Sequence, residues 1–394
     1  MSETALVIGV VGAGAMGSGI AQLAATAGHR VILGDADPAA IGRARTSVSR
    51  ALAREVEKGR QPSGADTDIM ARITEAPELA AGYDAFGECG LVIEAVVEDL
   101  GVKRALFRAL EGVVRDDCIL ATNTSSLSVA ALAGGCARPE RVIGVHFFNP
   151  APVMPLVEIV PAMTTSSETV ARSRTLVERW GKTAVTCADT PGFIVNRVAR
   201  PFYGESLRQL EEHIADAATI DWAMREIGGF RMGPFELMDF IGNDVNYAVT
   251  TSVFESFYHD PRYRPSLIQR RLVEAGWLGR KRDRGYYDYR EGAVRPEPSR
   301  DPVLGEAILA RTLAMLVNEA CEAVHLRIAS PADIETSMTK GVNYPHGLLE
   351  WGDEIGPSVI LARLERLQSE YGDDRYRPSA YLRRRVREGG ALLS

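Results

Sequence analysis

The sequence predicts an α/β doubly wound sheet followed by an all-α domain in two tandem copies. Three observations favour this fold class. An apolar run near the start leads into a glycine-rich turn and then a helical pattern, and apolar strands alternate with helices up to about residue 188. Beyond that point strand patterns largely disappear, and one helical pattern occurs twice in the same order.

The first strand and its turn predict a dinucleotide site of the Rossmann type. Leu6 to Val11 is a continuous apolar run, typical of a buried parallel strand. In the turn that follows, Gly12 permits a tight bend, Gly14 lets a pyrophosphate approach the backbone, and Gly17 lets helix and strand pack closely. The predicted cofactor-binding residues of this turn are Gly12, Gly14, Ala15, Met16 and Gly17.

Asp35 predicts which dinucleotide binds. It directly follows the second predicted strand, Arg30 to Gly34, at the distance past the glycines where this fold places a ribose-binding acid. Such an acid accepts both ribose hydroxyls and repels a 2′-phosphate, and residues 36–38 supply no cation. NAD is therefore expected rather than NADP. The alternative is a glycine-rich turn with a helix-capping Asp.

Further strands and helices complete the predicted sheet domain. A late strand is expected to be added in antiparallel orientation. The strands are predicted at Leu91–Val96, Cys118–Ala121, Val142–His146, Leu156–Val160 and Thr183–Cys187, and the longer helices at Pro38–Gly59 and about Glu168–Gly181, with another beginning near Leu127.

The helix over Pro38 to Gly59 carries arginines at helical spacing. Two interpretations fit this pattern: a solvent-exposed basic face, or an anion-binding site for the phosphates of a bulky carrier such as coenzyme A. On the second interpretation, Arg54 and Lys58 are the candidate coenzyme A ligands.

A histidine and a glutamate are expected near each other. His146 lies at the C-terminal tip of a predicted strand, where open α/β sheets bind ligands, and Glu158 lies in the next apolar run. A buried carboxylate beside a histidine fixes its tautomer and stabilises its imidazolium, as a general base requires. The alternative is a structural histidine bonded to a backbone carbonyl.

Polar residues elsewhere have two possible roles. The segment Thr122 to Ser126 follows a strand and either caps the next helix or aims polar groups into the crevice. Asn196, near the predicted domain junction, has the same two possibilities.

The second half predicts two copies of one helical domain. Its helices are expected at Phe193–Glu212, Ala217–Ile227, Pro234–Phe257 and Ser266–Ala275, and the first copy is expected to close with a basic turn and a short aromatic strand at Tyr286-Tyr287. The repeat is carried by four matches in order: Ile220-Asp221 with Ile334-Glu335, Gly233 with Gly347, Ile241-Gly242 with Ile355-Gly356, and Arg262–Ser266 with Arg375–Ser379. The predicted boundaries are 1–188, 189–290, a linker at 291–302, and 303–394.

Composition excludes several functions. A net charge of −7 and a pI near 5.6 argue against nucleic acid or an anionic membrane as a partner. No apolar stretch has the length of a membrane span, and Met1 to Ala5 carries no basic targeting region. Five scattered cysteines predict reduced thiols in the cytoplasm, and no histidine pairing predicts a metal site.

In order along the chain, these motifs resemble the 3-hydroxyacyl-CoA dehydrogenase family, including 3-hydroxybutyryl-CoA dehydrogenases. The matching residues are Gly12–Gly17, Asp35, Glu94–Glu98 with Lys103, Asn123–Ser126, His146–Pro150 and Pro191–Arg197. The resemblance implies NAD-dependent, reversible oxidation of a 3-hydroxyacyl-CoA to a 3-oxoacyl-CoA, as in fatty acid metabolism. It implies that His146 is the general base, that Glu158 orients it, and that Ser125 and Asn196 hold the reacting hydroxyl and the developing carbonyl oxygen. It assigns cofactor contacts to Glu98, Lys103, Asn123, Ser125 and Asn149.

Two departures from the family and two alternative functions accompany this expectation. The family usually has Lys-Thr-Gly or Lys-Ser-Gly where this chain has Lys281-Arg282-Asp283, and shorter members lack the second helical copy, so either a monomer or a homodimer is expected. One alternative is a related dehydrogenase acting on a carrier-protein thioester or a free 3-hydroxy acid. The other is a catalytically silent nucleotide-binding structural protein.

Overall fold

The computed structural model describes residues 6–76, 79 and 82–394, so the targeting prediction for Met1 to Ala5 lies outside the described residues. The chain divides into two compact units, Met1–Asp189 and Thr190–Ser394. Among the described residues, none of the helices combines the length and the apolar character needed to cross a membrane.

An eight-stranded sheet forms the middle of the first unit, in the order β3-β2-β1-β4-β5-β6-β7-β8. Every neighbouring pair is parallel except β6 and β7, which confirms the predicted late antiparallel addition. The strands are β1 Val7–Val11, β2 Arg30–Gly34, β3 Ile73–Glu75, β4 Leu91–Glu94, β5 Ile119–Thr122, β6 Val142–Phe147, β7 Leu156–Pro161 and β8 Thr183–Thr186.

The α-helices described in this unit are α1 Ala15–Thr26, α2 Pro38–Glu57, α3 Ala65–Ala71, α4 Leu100–Glu111, α5 Val129–Ala133 and α6 Ser167–Arg179. The strand β3 is not predicted from the sequence, because a three-residue strand is too short to show a periodicity. The helix expected near Leu127 begins at Val129, because the Ser128 hydroxyl accepts from the Ala131 N–H and so caps it there.

The second unit is helical. Its helices are α7 Val195–Val198, α8 Arg200–Glu211, α9 Ala217–Trp222 running into a π-helical turn at Ala223–Ile227, α10 Pro234–Ile241, α11 Asn243–Ser256, α12 Leu267–Glu274, α13 Pro302–His325, α14 Pro331–Gly341, α15 Leu348–Ile355, α16 Pro357–Tyr371 and α17 Ala380–Glu388. Its described secondary-structure elements are helices, as expected for the second part of the predicted fold class.

Two single helices of the prediction are in fact pairs. The expected helix Phe193–Glu212 is divided at Ala199, because Pro201 has no N–H to donate to the carbonyl one turn earlier. The expected helix Pro234–Phe257 ends and restarts at Gly242, whose φ of +106° lies outside the helical region.

The predicted aromatic strand at Tyr286-Tyr287 is also wrong. Only isolated bridges form in this segment, Gly279 with Arg284 and Arg284 with Asp288. The backbone N–H groups of Tyr286 and Tyr287 instead donate to the Asp239 carboxylate, each at 3.0 Å, so a side chain takes the place of a partner strand.

Corresponding residues of the two helical copies form reciprocal ion pairs within this unit. Arg197 Nε lies 2.6 Å from Glu319 Oε1, and Arg311 Nε lies 2.9 Å from Glu205 Oε2. All four side chains are buried. Each pair joins α13 to α7 or α8, and this is how a two-fold interface would repeat its contacts.

Candidate active site

The glycine turn after β1 leaves its backbone open to a ligand. Gly12 has a φ of +105°, and a Cβ on Gly17 would lie 1.7 Å from the Gly12 carbonyl oxygen, so both positions require glycine. Gly14 is exposed, and a Cβ there would meet nothing within 4 Å. The exposed first turn of α1, at Ala15, adds free N–H groups and a positive dipole end. This arrangement fits a dinucleotide pyrophosphate.

Asp35 is held at the end of β2 by backbone donors. Its carboxylate accepts from the Ala13 N–H at 2.6 Å and from the Asp37 N–H at 2.8 Å. The nearby cation Arg43 is paired with Asp37 at 2.8 Å. The acid is thus fixed beside the glycine turn, and the neighbouring guanidinium already has a carboxylate partner, which fits NAD better than its 2′-phosphorylated form.

His146 and Glu158 form a buried pair in the sheet. They lie directly opposite each other in the antiparallel register of β6 and β7. His146 Nδ1 lies 2.7 Å from Glu158 Oε2, and the two residues are 6% and 0% exposed. The ring of Phe148 packs against the imidazole with its centroid 4.6 Å away. The register places this pair near the carboxyl end of β6.

The loop after β5 is tied to two neighbouring segments. The side-chain oxygen of Asn123 accepts from the Phe147 N–H at 2.9 Å, which joins the loop to the end of β6. Glu98 Oε1 accepts from the backbone N–H groups of Ser125 at 3.1 Å and Ser126 at 3.2 Å, and from the Thr124 hydroxyl. One carboxylate therefore sets the conformation of the loop that carries Ser125.

A buried lysine orients that carboxylate in turn. Lys103 is 1% exposed, and its Nζ lies 2.7 Å from Glu94 Oε1 and 2.9 Å from Glu98 Oε2. Burial alone would raise the pKa of Glu98, but Lys103 and the Thr124 hydroxyl oppose it, and the net effect lowers that pKa. Glu98 is therefore kept ionised. Thr122 completes the group with a 2.7 Å hydrogen bond to Glu94.

A cavity of about 630 Å³ lies between α1, α2 and the loop after β6. Arg54 and Lys58 line it, together with Ser18 and Gly19 on α1 and Pro152 in the loop. Neither Arg54 nor Lys58 forms an ion pair with another described residue. Two cationic side chains without an ion-pair partner among the described residues therefore line a cavity beside α1, the helix that follows the glycine turn.

The structure brings together most of the predicted site residues of the first unit. The carboxyl ends of β4, β5 and β6 are adjacent in the sheet and carry the glutamate, loop and histidine groups just described. Asn149 is exposed and precedes Pro150 across a cis peptide bond. Asn196 belongs to the second unit, where it is half-buried in α7.

Three groups near these loops were missed by the sequence analysis. Glu94 was quoted only as part of a motif, although a glutamate inside a buried strand signals a paired acid. Asp189 accepts from the N–H groups of Val129 and Ala130 and caps α5. Lys182 donates to the carbonyls of Pro152 and Met154, and burial lowers its pKa to about 8. Nothing in the sequence signals either of the last two contacts.

Both units of the chain match domain models of one protein family. Residues 7–190 match the model of the 3-hydroxyacyl-CoA dehydrogenase NAD-binding domain, and residues 192–289 and 308–391 match the C-terminal domain of the same family. The chain belongs to the 3-hydroxyacyl-CoA dehydrogenase family. The family predicted from sequence, the NAD cofactor and the assignment as an oxidoreductase acting on CH–OH groups are thereby confirmed.

Two of the similar proteins cover nearly the whole chain, and a third covers about three quarters of it. A 3-hydroxyadipyl-CoA dehydrogenase of Escherichia coli is 38% identical, with 96% of this chain and 97% of the relative covered. A crystal structure of a 3-hydroxybutyryl-CoA dehydrogenase from Escherichia coli matches with a TM-score of 0.91 and 37% identity over 98% of this chain and 99% of the other. A 3-hydroxybutyryl-CoA dehydrogenase of Bradyrhizobium diazoefficiens is 41% identical, covering 74% of this chain and 98% of its own.

Proposed function

We propose that this family member oxidises the 3-hydroxyl of an acyl-CoA thioester, reversibly, with His146 as the proton acceptor. The observation that carries the proposal is the 2.7 Å contact between His146 and Glu158 inside the sheet. With Nδ1–H donating to the carboxylate, Nε2 keeps the lone pair that accepts a proton. The imidazolium formed in this way is stabilised by the adjacent Glu158.

The remaining groups position the substrate and cofactor. Bound NAD supplies the acceptor for the hydride that leaves the same carbon. Ser125 and Asn196 hold the reacting oxygen, Glu98 and Lys103 keep the loop of Ser125 in place, and Asn123 and Asn149 contact the cofactor. A loop held by buried ionic contacts needs no reorganisation when the substrate binds, and such preorganisation lowers the barrier.

Coenzyme A is proposed to bind along α2. Arg54 and Lys58 line the cavity beside α1 and have no ion-pair partners among the described residues, so both charges are available to phosphate oxygens. Charge reversal at either position is expected to raise KM for the thioester while leaving NAD affinity unchanged. A matching KM increase for NAD would contradict this assignment.

We further propose that the chain works as a monomer in the cytoplasm. The reciprocal pairs Arg197–Glu319 and Arg311–Glu205 already satisfy, within one chain, the contacts that a symmetric dimer would form between two. No disulfide links the cysteines of the described residues, which suits a reducing compartment. Light scattering after gel filtration checks the first point, and a mass of two chains would contradict it.

The proton-acceptor role is tested by His146→Gln and Glu158→Gln in an NADH absorbance assay. Each is expected to lower kcat by about 10²–10⁴-fold, because acid–base catalysis contributes that much. His29→Gln is the matched control, since His29 lies beside Leu6 and Gly90 at the opposite end of the strands. Fluorescence titration with NADH shows whether the cofactor still binds. Near-normal kcat in His146→Gln with NADH bound would exclude this role.

A substrate panel separates the alternatives. A 3-hydroxyacyl group is offered on coenzyme A, on a carrier protein and as the free acid, each with NAD. Turnover of the coenzyme A thioester at least ten times faster than the others is expected because α2 is basic. Preference for the carrier-bound or free acid would identify a related dehydrogenase, and NAD binding without turnover of any of them would identify a silent nucleotide-binding protein.

A further inference from the structure

Arg200 differs from the other buried arginines. Six of the seven buried arginines in the described residues lie within 4 Å of a carboxylate: Arg141 with Glu111, Arg197 and Arg262 with Glu319, Arg208 and Arg311 with Glu205, and Arg375 with Glu212. Arg200 is 7% exposed and has no carboxylate partner among the described residues. Burying a guanidinium without an anion is costly, so this exception requires an explanation.

The groups that contact the Arg200 guanidinium are a neutral hydroxyl and an aromatic ring, which compensate its positive charge only weakly. Its Nη1 donates to the Thr250 hydroxyl at 3.1 Å, and its guanidinium stacks on the ring of Tyr203 at 4.8 Å. The Nε–H has no acceptor among the residues that the structure describes. Burial lowers the pKa of this guanidinium, and the ionisable groups that interact with it are the neutral phenols of Tyr203 and Tyr344 rather than carboxylates.

A second donor beside Arg200 is also without an acceptor. Tyr344 is 6% exposed, and within the described part of the chain its hydroxyl has no hydrogen-bond partner. Its ring packs against that of Phe202, two residues after Arg200, with the centroids 5.6 Å apart, and burial raises the pKa of its hydroxyl well above the usual value. A buried guanidinium N–H and a buried phenol O–H therefore both lack an acceptor among the described residues, and one carboxylate could accept from both.

The spacing along the helix relates this cluster to the substrate. Asn196, proposed above to hold the reacting oxygen, precedes Arg200 by four residues, and Ala199 between α7 and α8 keeps a helical conformation. Residues four apart lie on the same face of a helix, roughly 6 Å apart along its axis. A short run of methylene groups beyond the reacting carbon spans that distance.

We propose that Arg200, assisted by Tyr344, is a specificity residue that binds a carboxylate at the far end of the acyl chain, so that the substrate is a dicarboxylic 3-hydroxyacyl-CoA. The inference rests on the dehydrogenase function proposed above and names the substrate class of the same site. A terminal carboxylate would pair with the guanidinium and accept from the tyrosine hydroxyl, which supplies both missing partners.

The test compares two substrates of equal chain length, 3-hydroxyadipyl-CoA and 3-hydroxyhexanoyl-CoA, by their ratio of kcat/KM with NAD. The wild type is expected to prefer the adipyl thioester. Arg200→Met should lower that ratio on the order of 10²-fold, because removing one partner of a buried charge pair has an effect of that size. Tyr344→Phe should lower it about tenfold, because it removes one hydrogen bond to a charged group. Tyr263→Phe is the matched control, since its hydroxyl bonds Glu319, and it should leave the ratio unchanged.

The outcomes separate this inference from the function on which it rests. If the wild type turns over neither thioester, the proposed function itself fails. Equal turnover of both thioesters, or an Arg200→Met enzyme that is slower with both by the same factor, would overturn only the role of Arg200. Thermal melting adds a readout: a residue that serves binding should leave Arg200→Met as stable as the wild type or more so, because an unpaired buried charge is removed.

Discussion

The two helical copies share a scaffold but differ in the polar groups they bury. In both, a carboxylate caps the next helix: Asp221 accepts from the Phe235 and Glu236 N–H groups, and Glu335 accepts from those of Leu349 and Glu350. In copy one Asn246 and Gln269 form a buried hydrogen bond of 3.0 Å, whereas the register set by Gly242/Gly356 and Ser266/Ser379 places Ile360 and Leu382 there in copy two. The residue matching Asn196 is Ala310. Copy one retains the polar side chains, and copy two provides packing.

What the copies share most closely is their reciprocal ion pairing. Glu319 is bonded by Arg197 and the Tyr263 hydroxyl, and Glu205 is bonded in the corresponding way by Arg311 and the Tyr376 hydroxyl. The similarity of these networks predicts similar costs when either is broken.

The largest expected effect comes from breaking that shared network. Glu319→Gln and Glu205→Gln should each lower the free energy of unfolding by about 3–5 kcal/mol, because each removes a carboxylate shared by two buried arginines. The loss for Glu205→Gln should be the smaller, since Arg311 keeps its second ion pair with Glu212. Chemical denaturation measures both. Glu274→Gln is the control: its pair with Arg270, at 2.8 Å, is exposed, and its loss should leave the free energy of unfolding nearly unchanged. A loss confined to one of the two buried variants would show that the copies are not equivalent.

The carboxylates that cap a helix in each copy should make the free energy of unfolding depend on pH. Burial raises the pKa of Asp221 to about 7, against the hydrogen bonds of Tyr287 and the helix N-terminus. Between about pH 4 and pH 7 the folded state then holds a proton that the unfolded state has released, so this group's contribution to stability falls as pH rises. The fall amounts to up to roughly 4 kcal/mol.

Asp221→Asn should remove that part of the pH dependence, measured as unfolding free energy at pH 4.5 and pH 7.5 relative to the wild type. Burial also raises the pKa of Glu335, so Glu335→Gln should flatten the same profile in the same direction. An Asp221→Asn profile parallel to that of the wild type would show that Asp221 is ionised throughout this range.

The sequence predicted the sheet well because its elements are set locally. Buried strands read as apolar runs, and β2 has the predicted bounds, Arg30–Gly34. The errors lie where one residue acts over a short range inside an apparently continuous pattern: Pro201 interrupts one helix and Gly242 another. Periodicity alone does not show which proline or glycine ends a helix.

The site was less accessible to sequence reasoning because its contacts join distant segments. The pairing of His146 with Glu158 follows from the register between β6 and β7, which the expected antiparallel strand makes plausible but does not fix. The reciprocal pairs join residues more than 100 positions apart, Arg197 with Glu319 and Arg311 with Glu205. Only their symmetry, seen after the repeat is aligned, would have indicated them. The catalytic roles stay predictions.

The smallest effect is expected from making copy one resemble copy two. Asn246→Ile alone or Gln269→Leu alone should lower the free energy of unfolding by about 1–3 kcal/mol, because each leaves a buried amide without its partner. The double variant carries the residue types found at Ile360 and Leu382 of copy two. Its loss of unfolding free energy should be smaller than the sum of the two single losses, since no buried amide remains without a partner. Denaturant titration of the four proteins gives the coupling directly. Additive losses would mean that the two amides are satisfied independently, for example Gln269 through its 3.2 Å contact with the Met238 sulfur.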